Sequence, residues 1–150
     1  MISVQQADFN QQIEYDRLRK SSNTGAVVTF TGLVRDINQG EKIASLTLEH
    51  YPAMTEKALA DIIEQAKLRW SLINTTVIHR VGELQLLDQI VFVGVASLHR
   101  GDAFAACEFI MDYLKTSAPF WKKETNNAGE SYWVDARDSD QNALEKWNTA

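Results

Sequence analysis

The chain has 150 residues, of which 45% are hydrophobic and 23% charged, and a formal net charge of −5. Such a chain buries an ordinary core as one domain over residues 1–150. Its composition excludes disorder, no apolar run reaches membrane-spanning length, and the negative balance excludes generic nucleic-acid or anionic-membrane binding.

A lone cysteine, Cys107, excludes an internal disulfide and a multi-cysteine zinc site. Together with a first octet lacking the basic start and apolar core of a secretory leader, it makes the cytoplasm the expected compartment.

Asp8 is expected to cap a first, peripheral helix running to about Lys20, with Phe9, Ile13 and Leu18 as sparse apolar contacts. Gly25 opens a strand over 26–35 rich in β-branched residues, with Val28, Phe30 and Val34 on one face and Thr29, Thr31, Leu33 and Arg35 on the other. Gly32 marks a bulge, a close approach, or simply a small residue in a packed sheet. After a polar turn, Ile43 to His50 alternates again, so residues around 25–50 read as a β-hairpin subdomain. Tyr51-Pro52 breaks that strand. Met54, Ala58, Leu59, Ile62, Ile63, Ala66 and Trp70 then recur at helical spacing, opposite a charged face.

Thr75 to Val81 predicts a third strand, and Gly82-Glu83-Leu84 with Asp88 a turn-containing crossover. Ile90 to Ala96 is apolar on both faces, as in a strand covered on both sides. Asp102 is the expected N-cap of a helix from about Ala103 to Thr116, with Phe104, Cys107, Ile110, Met111 and Leu114 turned inward. His99 and Arg100 precede it, where free N–H groups and the helix dipole favour an anion. The same residues also suit an interior histidine and a surface partner for Asp102 or Glu108. Cys107, on the apolar face, reads as structural.

Met111 to Glu124 places three lysines around a helix stop and two aromatic rings. Pro119 forbids the helix from running on, leaving Lys115 in its last turn and Lys122 on the extended segment that follows. A bend between two rigid elements can aim both ammonium groups at one point, which suits an anionic substrate or a lysine of lowered pKa. A helix C-terminus and a solvated strand face would also accept these lysines. Residues 125–130 form a turn, 131–137 a returning strand, and Asp138-Ser139 caps a last helix through about Trp147.

The chain contains no Walker-type loop, Gly-x-Gly-x-x-Gly, Gly-x-Ser-x-Gly elbow or His-x-x-x-His pair, and its three scattered histidines argue against a catalytic metal. What remains is a cationic set at element ends: Arg35, His99, Arg100, Lys115, Lys122, Lys123 and Arg137.

Four stretches, Gly25–Arg35, Leu48–Lys57, Val77–Glu83 and Met111–Glu124, resemble the large, catalytic subunits of molybdopterin synthase, and the likeness spans nearly the whole chain. The resemblance implies an α+β fold of the hammerhead type with an added small antiparallel β subdomain, and a homodimer at the centre of a heterotetramer. It further implies a small ubiquitin-like partner whose C-terminal Gly-Gly thiocarboxylate enters a pocket of this chain and gives its sulfur to cyclic pyranopterin monophosphate, with no metal or organic cofactor. By the family pattern Lys115 and Lys122 match the catalytic lysines. Leu33, Val34, Arg35, His99, Arg100, Lys123 and Glu124 match substrate binding, with Arg137 a weaker anion-site candidate. Many relatives carry a basic residue where this chain has Leu33. The competing readings are a noncatalytic adaptor that grips a ubiquitin-like tail at Phe120-Trp121, and a phosphate sensor built on Arg35, His99 and Arg100.

Overall fold

The computed structural model describes residues 1–38, 41–134 and 138–148. Its elements are β1 (Ile2–Gln5), α1 (Gln11–Leu18), β2 (Ala26–Leu33), β3 (Ile37–Asn38), β4 (Glu41–His50), α2 (Met54–Arg69), β5 (Leu72–Arg80), β6 (Gly82–Gln85), β7 (Gln89–Ser97), α3 (Arg100–Ser117), β8 (Phe120–Asn126), β9 (Ser131–Val134) and α4 (Asp138–Glu145). The class is α+β.

One sheet has the order β1-β5-β7-β2, with β1 parallel to β5 and the other pairs antiparallel. Its centre is β7, whose doubly apolar run is covered on both sides. Val91, Val93 and Val95 face α2 and α3, where they meet Leu59, Ile62, Ile63, Phe109 and Ile110. Phe92 and Ala96 face the other way, onto Leu18 and Phe9. The alternation of the strand thus feeds two cores at once.

The second of these cores corrects the picture of a peripheral α1. Leu18 and Glu14 are buried while Ile13 is exposed. Gly94 permits this packing, since a Cβ there would stand 2.4 Å from Leu18 Cδ1. The helix is capped not by Asp8 but by Asn10, whose side chain accepts the Ile13 N–H at 3.1 Å. Asp8 instead accepts from Phe9 N–H and the Gln89 amide.

A second, antiparallel sheet has the order β3-β4-β8-β9, with β6 also on β4. This corrects the hairpin subdomain expected around 25–50. β2 pairs with β7 in the first sheet, whereas β4 pairs chiefly with β8, so the two neighbouring runs lie in different sheets. Alternation identifies a strand but not its partner. The expected crossover at 82–84 is likewise a strand, β6, with Leu84 opposite Leu46 in a small apolar cluster. Gly32 combines two of its readings: the register slips between Gly32 and Leu33, and a Cβ would lie 2.9 Å from Val91 Cγ1.

The helix α2 runs as the periodicity predicts. In α3 the N-cap is His99 rather than Asp102, whose carboxylate accepts the Ser71 N–H at 3.3 Å. Phe104, expected inward, is exposed, and Phe109 fills the core instead. The last helix is tied down by Trp147, which meets Trp70 and Phe109 edge-on at 5.7 and 5.4 Å and donates its indole N–H to Asp112 at 2.7 Å.

Candidate functional site

The joint between α3 and β8 sets the site. Ala118 leaves the helix in an extended conformation, and β8 begins immediately after Pro119. The fully buried Thr55 clamps this joint: its hydroxyl accepts the Tyr51 N–H at 3.1 Å and donates to the Pro119 carbonyl at 3.3 Å. The start of α2 is thereby tied to the bend, and a buried hydroxyl with both roles satisfied holds its geometry.

Side chains on β8 alternate. Phe120, Lys122 and Glu124 share one face with their β4 partners His50, Leu48 and Leu46. Leu46 and Leu48 are buried with Val34 and Leu84, which gives Lys122 and the buried Glu124 an apolar floor. Trp121 and Lys123 point to the other face, where Trp121 meets Tyr51 at 5.6 Å and Lys123 lies 5.7 Å from the Trp133 ring. Lys123 therefore does not share the side occupied by Lys122.

His79 on β5 joins the parts. It is 4% exposed, and its ring stacks on Phe120 with centroids 3.8 Å apart and planes 18° from parallel. Its Nδ1 lies 2.9 Å from the Arg80 carbonyl, which can only accept, so Nδ1 carries the proton and Nε2 is left as an acceptor. Burial pushes this imidazole down to about 3, and the charges of Lys115, Lys122 and His50 push it the same way. Both lysines thus bear on one neutral ring, from opposite sides of the proline break. His50 is itself 4.0 Å from the Glu56 carboxylate.

Beside the shared apolar floor opens a cleft of about 580 Å³ lined by Leu33, Val34, Arg35, Asp36, Leu86 and Leu87. Leu33-Val34-Arg35 thus belongs to a concave surface, while neither lysine lines it. His99 and Arg100 stand elsewhere. Leu33 pairs with Gln89 and His79 with Val91, which places Arg35 and the lysines at the start of β7. His99 and Arg100 follow the end of that strand, about 26 Å away at the strand rise. Along α3, Arg100 and Lys115 are about 22 Å apart at the helical rise. One chain therefore does not bring the whole cationic set to one point.

Arg137 lies outside the described residues. Among the described residues no group of three or more His, Cys, Asp or Glu side chains is placed to hold a metal, and no helix is long and apolar enough to cross a membrane. Cys107 is buried against the Val93 carbonyl and its thiol is pushed up to about 11, chiefly by burial.

Sequence reasoning did not find His79, His50 or Thr55 as parts of the site. His79 had a signal of sorts, being a polar residue in phase with the apolar Val77 and Val81. Thr55 had none, because its partner at Pro119 is distant in sequence.

The MoaE protein family matches residues 4–117. A Haemophilus influenzae protein named molybdopterin synthase catalytic subunit is 58% identical over 146 residues, 97% of each chain. A solved MoaE protein from Burkholderia ambifaria superposes with a TM-score of 0.85 at 50% identity, covering 100% of this chain and 99% of that one. A chain from a Helicobacter pylori complex of subunits 1 and 2 of molybdopterin-converting factor shares the fold, with a TM-score of 0.75 at 19% identity over 91% of each. With a full-length relative at this identity and a family match over most of its residues, the chain belongs to the MoaE family.

Proposed function

We propose that this chain moves sulfur from the C-terminal thiocarboxylate of a small ubiquitin-like subunit to cyclic pyranopterin monophosphate, with Lys115 and Lys122 as its catalytic pair. The chain is an enzyme of molybdenum-cofactor biosynthesis, of the molybdopterin synthase catalytic-subunit type. The observation that carries the residue assignment is the proline joint, which brings a helix-end lysine and a strand lysine to bear on the single buried ring of His79. A partner subunit is supported by the fold shared with the chain from the H. pylori complex.

In this reading the thiocarboxylate, an anion, is held by Lys122 over the Leu46–Leu48 floor, where low polarity strengthens the charge pairing. Once the thiocarboxylate sulfur has bonded to the pterin, water attacks the acyl carbon, the acyl C–S bond breaks and the tail leaves as a carboxylate, with Lys115 moving the proton from the water to the departing sulfur. The opposite assignment, with Lys115 on the thiocarboxylate and Lys122 on the proton, is the alternative, and Glu124, two residues from Lys122 on the same face, orients an ammonium group. Arg35, on the rim of the cleft, takes the phosphate of the pterin. His99 and Arg100 lie too far from the lysines to touch the same small anion, so they serve the site of a second copy, which makes a homodimer the working unit.

The experiment is a single-turnover assay with thiocarboxylated partner and pterin substrate. Lys122→Ala is expected to abolish dithiolene formation while retaining fold and partner binding. Product from Lys122→Ala at the wild-type rate would remove the lysine from catalysis. Partner binding by a wild-type chain that yields no product would leave an adaptor that grips the tail.

A further inference from the structure

Three histidines are present, and one of them lies at the centre of the lysine site without belonging to the cationic set. His79 is buried in β5, in register with Val91 on β7 and Val4 on β1. Two contacts fix its ring. Phe120 stacks on its face at 3.8 Å, and the Arg80 carbonyl fixes the tautomer through Nδ1. A buried ring held at its face and at one nitrogen has no rotational freedom left for the other nitrogen.

That other nitrogen, Nε2, is a lone-pair acceptor and hydrogen-bonds to none of the described residues. It is not among the sealed orphan atoms either, since among the described residues only the Thr24 hydroxyl is both buried and without a partner. The charged and titratable groups around the ring are Lys115 at the end of α3, Lys122 on β8, and His50 on β4 with Glu56 of α2 behind it, while Arg80 adjoins it on β5. An ammonium group needs acceptors, and a neutral imidazole supplies one without adding a third positive charge.

We propose that His79 is a positioning residue for the lysine pair: its ring, locked between Phe120 and the Arg80 carbonyl, presents Nε2 as the acceptor for a lysine ammonium group once the thiocarboxylate tail is bound, and so sets where that amine points. This rests on the lysine reading given above. It also explains why Phe120 directly precedes the catalytic segment of β8. The stack couples the orientation of β8, and therefore of Lys122, to the first sheet.

The test uses the full chain with its thiocarboxylated partner. His79→Phe keeps a ring against Phe120 and removes both nitrogens, whereas His79→Gln keeps a donor and an acceptor on a flexible stem. The single-turnover rate of His79→Phe at saturating substrate is expected to fall by about 10- to 100-fold, with half-saturating substrate and partner affinity changed by no more than about 2-fold. His79→Gln is expected to recover part of the rate. A wild-type rate in His79→Phe overturns the proposal.

A second readout does not depend on these variants folding. With the partner bound, Nδ1 of the wild-type imidazole is expected to be protonated and Nε2 bare in the ¹⁵N spectrum, and the Nε2 resonance is expected to move in Lys115→Gln or Lys122→Gln. A resonance indifferent to both substitutions overturns the proposal even if His79→Phe is slow. If Lys122→Ala itself turns over normally, it is the lysine assignment that fails. An inactive Lys122→Ala beside a fully active His79→Phe sinks only the role of His79.

Discussion

Lys122 and Lys123 are neighbours in sequence and strangers in space. The strand period turns one over the Leu46–Leu48 floor and the other toward Trp133, so a doubled lysine contributes one group to each face of the sheet. Cys107 makes the complementary point about a nucleophile. Its thiol is buried on the inner face of α3 and pushed up to about 11, so at neutral pH it is protonated and out of reach. Ellman's reagent is therefore expected to label native protein only as fast as the chain opens, and to label it at once in urea. Rapid stoichiometric labelling of the folded chain would contradict the buried reading.

At the scale of elements, the proline joint and the last helix show how short contacts fix long pieces. Thr55 ties the start of α2 to the Pro119 carbonyl, and without that tie β8 would be free to swing Lys122 away from the end of α3. Trp147 performs the same service for α4, through Trp70, Phe109, the Asp112 carboxylate and a bond from Arg69 to its own carbonyl. Replacing it by alanine removes a large aromatic contact and leaves the Asp112 carboxylate without its indole donor. Trp147→Ala is expected to cost about 2–4 kcal/mol, read as a lower urea midpoint, and to expose residues 138–148 to protease. An unchanged midpoint would mean that α4 docks without contributing to the core.

Across the whole molecule, two consequences follow from where the ionisable groups end up. His79 has a folded pKa of about 3 against an ordinary value of 6.5, so between those values the unfolded chain binds a proton that the folded chain refuses. Stability is accordingly expected to fall as pH is lowered from 6.5 toward 3, with a slope from this group of at most about 1.4 kcal/mol per pH unit. Urea midpoints at neutral and mildly acid pH check it, and His79→Gln should flatten the difference. An equal acid loss in wild type and variant would assign the effect to other groups.

The second consequence concerns assembly. With His99 and Arg100 at the far end of α3 from Lys115, a site drawing on both ends needs two chains. Mixing and reassembling Lys122→Ala with Arg100→Ala, each inactive alone, is then expected to regenerate activity, because each mixed dimer holds one intact site and one doubly damaged site. Failure to complement, with mixed dimers demonstrated, would place all the residues of a site on one chain.

Local patterns were enough to determine several features of this protein by themselves: the amphipathic α2, the doubly covered β7, the helix stop at Pro119 and the β8–β9 hairpin. Each depends on periodicity or on the missing N–H of proline, which act over a few residues. The placement of Lys115 on the helix and Lys122 on the strand was legible for the same reason, since the break that separates them is written between them. Only the tertiary structure decided which strands pair. Residues 25–50 alternate as a hairpin would, yet β2 takes β7 as its partner and β4 takes β8, because strand partners are chosen by which faces can be buried together. That choice also brought His79 onto Phe120, 41 positions later in the chain, and carried His99 and Arg100 away from the lysines. A residue's chemistry can be read where it stands in the sequence, whereas its company is set by packing between segments that the sequence keeps apart.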